Sequence, residues 1–202
     1  MGPLFLVVEG MDGAGKSTQI ERLAGWLTQA GSPPVVTREP GATPIGERIR
    51  EILLDPASAG MDPKTEALLY AADRAQHAAQ VIRPALAAGR VVISDRYVDS
   101  SLAYQGIARG LGVDPVLELN AQAIQGRLPD RTFLVLVEPE VAAERSAAGD
   151  RIEREGLDFH RKVNEAYRAL ATMFPERITS VDGNRPTDEI AKEIRGRLRE
   201  LS

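Results

Sequence analysis

Cysteine is absent from the 202-residue sequence, which excludes a disulfide framework, a thiolate metal site and a cysteine nucleophile. Histidine occurs only at His77 and His160, too few for a histidine-rich metal centre. No long hydrophobic run exists near the start: the apolar stretch 4–8 is too short for a signal peptide or a membrane span and no basic segment precedes it, so the expected compartment is the cytoplasm. A surplus of positive charge is also missing. Lys plus Arg total 25 against 29 Asp plus Glu, a formal charge of −4, which argues against a general binder of nucleic acid or membrane surfaces while leaving room for a local basic pocket. Lysine itself is scarce. Lys16, Lys64, Lys162 and Lys192 are four of the 25 basic residues, and arginine supplies the remaining 21.

What is present reads as an ordinary globular chain: 43% apolar and 27% charged residues, enough to bury roughly 70% of the unfolded surface in one core. Short β-branched runs at 4–8, 35–37, 91–94, 132–137 and 178–181 alternate with segments rich in Ala, Leu, Glu and Arg at 16–30, 45–54, 64–88, 115–125, 141–146, 159–173 and 187–201. Continuous apolar strands alternating with helices predict an α/β fold, with a five-stranded parallel sheet covered by helices on both faces. We expect one domain over 1–202, interrupted by a short polar, arginine-bearing lid at about 145–156.

Gly10-Met11-Asp12-Gly13-Ala14-Gly15-Lys16-Ser17 fits G-x-x-x-x-G-K-[ST], with an apolar strand before it and a helical run after it. The glycines let successive N–H groups converge on phosphate oxygens, Lys16 reaches the β- and γ-phosphates, and the Ser17 hydroxyl, followed by Thr18, is placed for Mg²⁺. This predicts the P-loop NTPase fold and ATP or a related nucleotide as ligand, without settling the chemistry. The N-K-x-D base-reading motif of GTPases is absent, and the chain is short for a motor ATPase.

Asp95, at the end of the third strand run, shares the P-loop crevice and can hold Mg²⁺ through water, with Arg96 beside it for a second phosphate. Thr37-Arg38-Glu39-Pro40-Gly41-Ala42-Thr43-Pro44 turns sharply after the second strand, and Arg50 follows in the next helix. Tyr70 and Arg74 stand four residues apart on one helical face, a ring to stack on a base and a guanidinium to donate to a carbonyl. Ser100, Ser101, Tyr104 and Gln105 crowd a helix start, where a serine can simply be an N-cap and where polar side chains also suit the edge of a planar base.

Taken together, Glu9 through Ser17, Thr37-Arg38-Glu39-Pro40-Gly41, Tyr70 through Arg74, Asp95-Arg96-Tyr97 and Ser100 through Gly106 resemble the bacterial thymidylate kinase family over nearly the whole chain. The resemblance implies Mg²⁺-dependent transfer of the ATP γ-phosphoryl group to dTMP, a homodimer and a role in dTTP synthesis, with neither nucleic acid nor membrane as partner. It implies that Lys16 and Ser17 serve ATP and Mg²⁺, and that Gly10, Met11, Gly13, Ala14 and Gly15 form the cradle. Asp12 then approaches the dTMP sugar and phosphate, and Glu39 sits at the same end of the site. Arg50 and Arg96 clamp the acceptor phosphate, Tyr70 stacks on thymine, and Arg74 donates to a thymine carbonyl. Ser101 and Gln105 read the base edge, with Ser100 also at the dTMP site, while Tyr104 crowds the sugar. Because Met11, Asp12, Gly13 and Ala14 include no basic residue, the chain resembles members whose lid supplies arginines: Arg151 first, within Asp150-Arg151-Ile152-Glu153, then Arg145, with Arg154 nearby. Arg96, Lys16, Asp12 and Arg151 are the expected catalytic set. A kinase for another nucleoside monophosphate, or a non-catalytic nucleotide-binding protein, are the competing readings.

Overall fold

The computed structural model describes residues 2–146 and 149–200. Five strands, β1 (Phe5–Glu9), β2 (Val35–Arg38), β3 (Val92–Asp95), β4 (Arg131–Leu136) and β5 (Ile178–Asp182), form one sheet in the order β2-β3-β1-β4-β5. Every pairing is parallel, with Val7 opposite Ser94 on one side and Thr132 on the other. β1 is apolar up to Glu9 and wholly buried, as a central strand covered on both faces must be. The edge strand β2 instead alternates half-buried and exposed residues.

Helices α1 (Lys16–Gln29) and α9 (Thr187–Arg199) pack together on one face. The opposite face carries α3 (Pro63–His77), α6 (Val113–Ile124) and α8 (Leu157–Met173), with α2 (Pro44–Leu54) packed on α3. The chain leaves β1 toward β2 on one side and reaches β4 on the other, so a crevice opens beside β1 at the carboxyl ends of the strands. The core fills the sheet interior with Leu6, Val8, Ile93 and Phe133, against Leu27, Ile194, Val163 and Leu170 from the helices.

The helix expected over 64–88 is divided. After α3 the chain widens into a π turn at Ala78–Ile82 before α4 (Arg83–Ala87). Pro84 explains this. It has no N–H, and its ring needs space beside the carbonyl of Gln80, four residues back; a wider turn gives that space without ending the helix. A second π segment, Leu102–Ala108, continues the short α5 (Val98–Ser101). There the Arg109 N–H reaches back five residues to Tyr104 O at 2.8 Å. The short α7 (Pro139–Arg145) precedes the lid segment. Of the lid expected at 145–156, Ala147 and Ala148 lie outside the described residues.

Candidate active site

The P-loop closes β1 onto α1. Gly10, Gly13 and Gly15 all have positive φ, and Gly15 forms the N-cap of α1. Gly13 admits no side chain: a Cβ there would lie 2.2 Å from Ala142 O, on a φ of +80°. Lys16 is buried, its Nζ resting on Met11 O at 3.0 Å and 3.4 Å from Asp12 Oδ1. Burial and the nearby Arg96 push the Lys16 ammonium below its usual range, with Asp12 and Asp95 pulling against them. Ser17 and Thr18 are exposed at the start of α1.

Asp12 also accepts from Arg96 Nη2 at 2.8 Å. One carboxylate oxygen therefore joins the P-loop lysine to the arginine at the end of β3. Burial works against ionisation of Asp12, but Arg96 and Lys16 overcome it and hold the carboxyl well below its usual range. Arg96 itself has φ +69°, a left-handed conformation for a residue with a Cβ, anchored by its own N–H on Val8 O at 3.0 Å and by Ser94 Oγ donating to its carbonyl at 2.8 Å. Its guanidinium lies 5.6 Å over the Tyr104 ring and donates to Ser100 Oγ and Tyr167 Oη, each at 3.2 Å.

Glu9 organises this corner. Its Oε1 accepts from the backbone N–H groups of Tyr97 (2.8 Å) and Ser100 (3.1 Å); its Oε2 accepts from Ser100 Oγ (2.7 Å) and Tyr167 Oη (2.9 Å). The cap of α5 is thus a carboxylate from β1, while neither Ser100 nor Ser101 serves as N-cap. Burial pushes the Glu9 carboxyl up, with Arg96 pulling against it.

A cleft of about 150 Å³ lies beside Asp12 and Arg96, walled by Glu39, Arg50, Tyr70, Ser101, Tyr104 and Gln105 among others. Most of the predicted acceptor residues therefore converge on one space. Glu39 precedes a cis peptide bond to Pro40, and its carboxylate is engaged from behind by Arg74 Nε at 2.7 Å and His77 Nδ1 at 2.8 Å. His77 Nε2 in turn lies 2.7 Å from Thr37 Oγ1. Arg50 Nη1 donates to Pro40 O at 3.0 Å. Asp73, on α3, accepts from Gly41 N–H at 3.1 Å. Burial first and the neighbouring Glu39 second push the Asp73 carboxyl up to about 6.

Two expected residues stand elsewhere than the sequence reading had them. Arg74 is 1% exposed and does not line the cleft. It donates to Glu39, Ser101 Oγ, Asn120 Oδ1 and Tyr97 O, which leaves one of its five N–H groups for a ligand. It therefore braces the wall behind Ser101 and Glu39. Arg151, expected at the ATP phosphates, is 6% exposed and engaged by other partners: its Nε donates to Leu53 O at 2.7 Å and its Nη1 pairs with Glu66 at 2.7 Å. Arg145 is exposed at the end of α7.

On the other side of Asp12, Ser17 and Asp95 line one shallow cavity with Thr37 and Arg38. Oδ1 of Asp95 is buried with no partner, an unsatisfied polar oxygen on a residue that lines the same cavity as Ser17. Among the described residues there is no ready-made cluster of three or more His, Asp or Glu for a metal.

Sequence reasoning missed Glu9, Glu66, Asp73, His77 and Tyr167 as supports of this site. Glu66 and Asp73 flank Tyr70 and Arg74 on α3, so their spacing was the available signal.

A family model described as thymidylate kinase matches residues 8–194. The chain is 48% identical to the thymidylate kinase of Symbiobacterium thermophilum over 200 residues, covering 98% of this chain and 94% of that protein. It is 46% identical to that of Halalkalibacterium halodurans over 194 residues, covering 94% and 92%. Among solved structures, the crystal structure of thymidylate kinase from Ehrlichia chaffeensis superposes with a TM-score of 0.81 at 29% identity, covering 98% of this chain and 99% of that one.

Proposed function

The chain belongs to the thymidylate kinase family and transfers the γ-phosphoryl group of ATP to dTMP, giving dTDP and ADP for dTTP synthesis; from that premise we propose how its side chains divide the work. Phosphoryl transfer asks little covalent chemistry of a protein. Two polyanions must be brought into line and the charge between them neutralised. The acceptor phosphate is already ionised, so no histidine base is needed.

The P-loop cradle from Gly10 to Thr18 receives the ATP phosphates, with Lys16 turning from Met11 O toward them. Arg96 and Arg50 clamp the dTMP phosphate. Tyr70 stacks on thymine, while Ser100, Ser101 and Gln105 face the base with Arg74 bracing Ser101 from behind, and Tyr104 crowds the sugar. Asp12 carries this reading. Its Oδ1 holds Lys16 and Arg96 side by side and neutralises them until phosphates compete for the two cations, which supports donor and acceptor phosphates meeting here. Arg145, exposed on α7, and Arg154, exposed in the following segment, are the remaining candidates for a cation above the transferred group.

Mg²⁺ fits the same crevice: the unpartnered Oδ1 of Asp95 and the Ser17 hydroxyl would hold it, with phosphate oxygens and water completing the shell. When bound, the ion would supply positive charge to offset that of the phosphates. We further propose a homodimer. Ile45 and Ile52 on α2 and Leu68 on α3 are 53%, 50% and 48% exposed on packed neighbouring helices, an apolar surface that a second copy would cover. Among the described residues no helix is long and apolar enough to cross a membrane; we propose cytoplasmic residence, where ATP is at hand.

Turnover with dTMP, dUMP, dCMP, AMP and GMP as acceptors, each with Mg²⁺ and ATP, tests the pocket assignment. A strong preference for dTMP is expected, and comparable rates with AMP or GMP would reject the base-reading roles. Light scattering over a concentration series tests the dimer, and a monomer throughout would reject it.

A further inference from the structure

Glu66 has no part in the chemistry above, yet it is 0% exposed and its carboxylate is saturated. Oε1 accepts from Gln105 Nε2 at 2.8 Å and Arg109 Nε at 3.3 Å; Oε2 accepts from Arg109 Nη2 at 3.2 Å and pairs with Arg151 Nη1 at 2.7 Å. A carboxylate offers about four acceptor positions, and all four are filled from two different parts of the chain. Gln105 lines the acceptor cleft. Arg151 belongs to the segment that follows α7.

That segment is tied down at two further points. Arg151 donates its backbone N–H to Leu54 O (2.9 Å) and its Nε to Leu53 O (2.7 Å), carbonyls at the end of α2 that have no partner within the helix. Glu155 pairs with Arg109 Nη2 at 2.6 Å, and Arg109 lies 4.4 Å over the Phe159 ring. The charges balance, with two arginines against two glutamates. Apart from Glu153, which accepts from Ser146 Oγ, these anchors lie on or directly beside elements of the acceptor cleft: α2 carries Arg50, α3 carries Tyr70, and the second π segment, which Arg109 follows, carries Tyr104 and Gln105.

We propose that Glu66 is a positioning residue that couples the 150–155 segment to the acceptor cleft, with Arg151 as the latch. The amide of Gln105 and the latch share one carboxylate, so filling the cleft with dTMP and seating the segment favour each other. None of these anchors is a P-loop residue, so the coupling acts on dTMP and not on ATP. The inference rests on the acceptor-cleft assignment above and deepens it.

Kinetics of Glu66→Gln, Arg151→Gln and the double variant test the idea, with folding checked by circular dichroism and thermal unfolding. Each single variant is expected to raise KM for dTMP by about tenfold, with kcat lowered by less than about threefold and KM for ATP unchanged. The double variant should be little worse than either single one, the signature of a shared interaction. A kcat loss of about 100-fold at unchanged KM in Arg151→Gln, as for an arginine finger, overturns the proposal. Strictly additive losses do so as well. Trypsin cleavage after Arg154 in the wild-type protein gives a second test that needs no variant. Here dTMP alone should slow cleavage and ATP alone should not, and the reverse order overturns the coupling. A wild-type protein inactive on dTMP would remove the acceptor assignment and this inference together, whereas normal wild-type turnover with additive variants removes the inference alone.

Discussion

Asp73→Asn separates electrostatics from packing in the wall of the acceptor cleft. Asp73 is 1% exposed, accepts the Gly41 N–H through Oδ1, and leaves Oδ2 buried without a partner. Burial and Glu39 raise its carboxyl from 3.8 to about 6. A carboxyl raised in this way binds protons more tightly in the folded than in the unfolded chain, so its contribution to stability declines as pH rises between about 4 and 6. At about pH 8 the ionised group costs the folded state about 3 kcal/mol; near pH 4.5 the cost is about 1 kcal/mol. Asparagine keeps the acceptor for Gly41 and removes the titration. Any packing penalty of the amide is independent of pH and cancels between the two conditions. The variant should therefore gain about 2 kcal/mol on the wild type between pH 4.5 and pH 8, or about 4 to 8 °C in Tm. Urea unfolding of both proteins at the two pH values measures the double difference. A gap that is flat with pH, or that moves against the variant as pH rises, would refute the account of Asp73.

Lys16→Ala should lower kcat by at least about 10²–10³-fold, the range for loss of a single charge-stabilising donor, with circular dichroism and Tm unchanged; wild-type-like turnover would remove the P-loop assignment. Arg74→Ala should raise KM for dTMP while leaving KM for ATP alone, and because it leaves the buried Glu39 carboxylate without its guanidinium it should also cost about 3–5 kcal/mol in urea unfolding. Equal loss of affinity for both substrates would count against its place behind the base pocket. Gly13→Ala drives a Cβ into Ala142 O on a left-handed backbone, so we expect at least about 2 kcal/mol of destabilisation and loss of ATP binding by calorimetry. Normal ATP affinity in that variant would mean that the P-loop conformation is wrong.

The sheet and the P-loop were readable from sequence because their signals are local. Short β-branched runs alternating with helical stretches set the strands, and the strand–loop–helix context gave the cradle its meaning. The acceptor wall was partly readable, since Tyr70, Tyr104 and Gln105 sit in recognisable short motifs. Their supports were not. Glu39 meets His77 across 38 residues and Glu66 meets Gln105 across 39, and no periodicity links such pairs. The π turns escaped notice because over a single turn a widened helix carries almost the same apolar pattern as a regular one. The setting of Arg151 was hidden for a different reason: the resemblance of Asp150-Arg151-Ile152-Glu153 to the family's lid gave no direction to the side chain, which the carbonyls of Leu53 and Leu54 and the Glu66 carboxylate supply.

The capping of α5 by Glu9 has a consequence for how the molecule assembles. The two backbone N–H groups it fixes lie 88 and 91 residues away in sequence, and a four-residue helix has no stability of its own. The left-handed corner at Arg96 can therefore take shape only after β1 and β3 have met in the sheet. Closing a loop of that length comes late in folding, once the non-local pairing has been made. The acceptor half of the site is a product of long-range assembly: a peptide spanning 95–108 will not hold it, and a chain caught before β1 docks will carry every residue of the cleft without its shape.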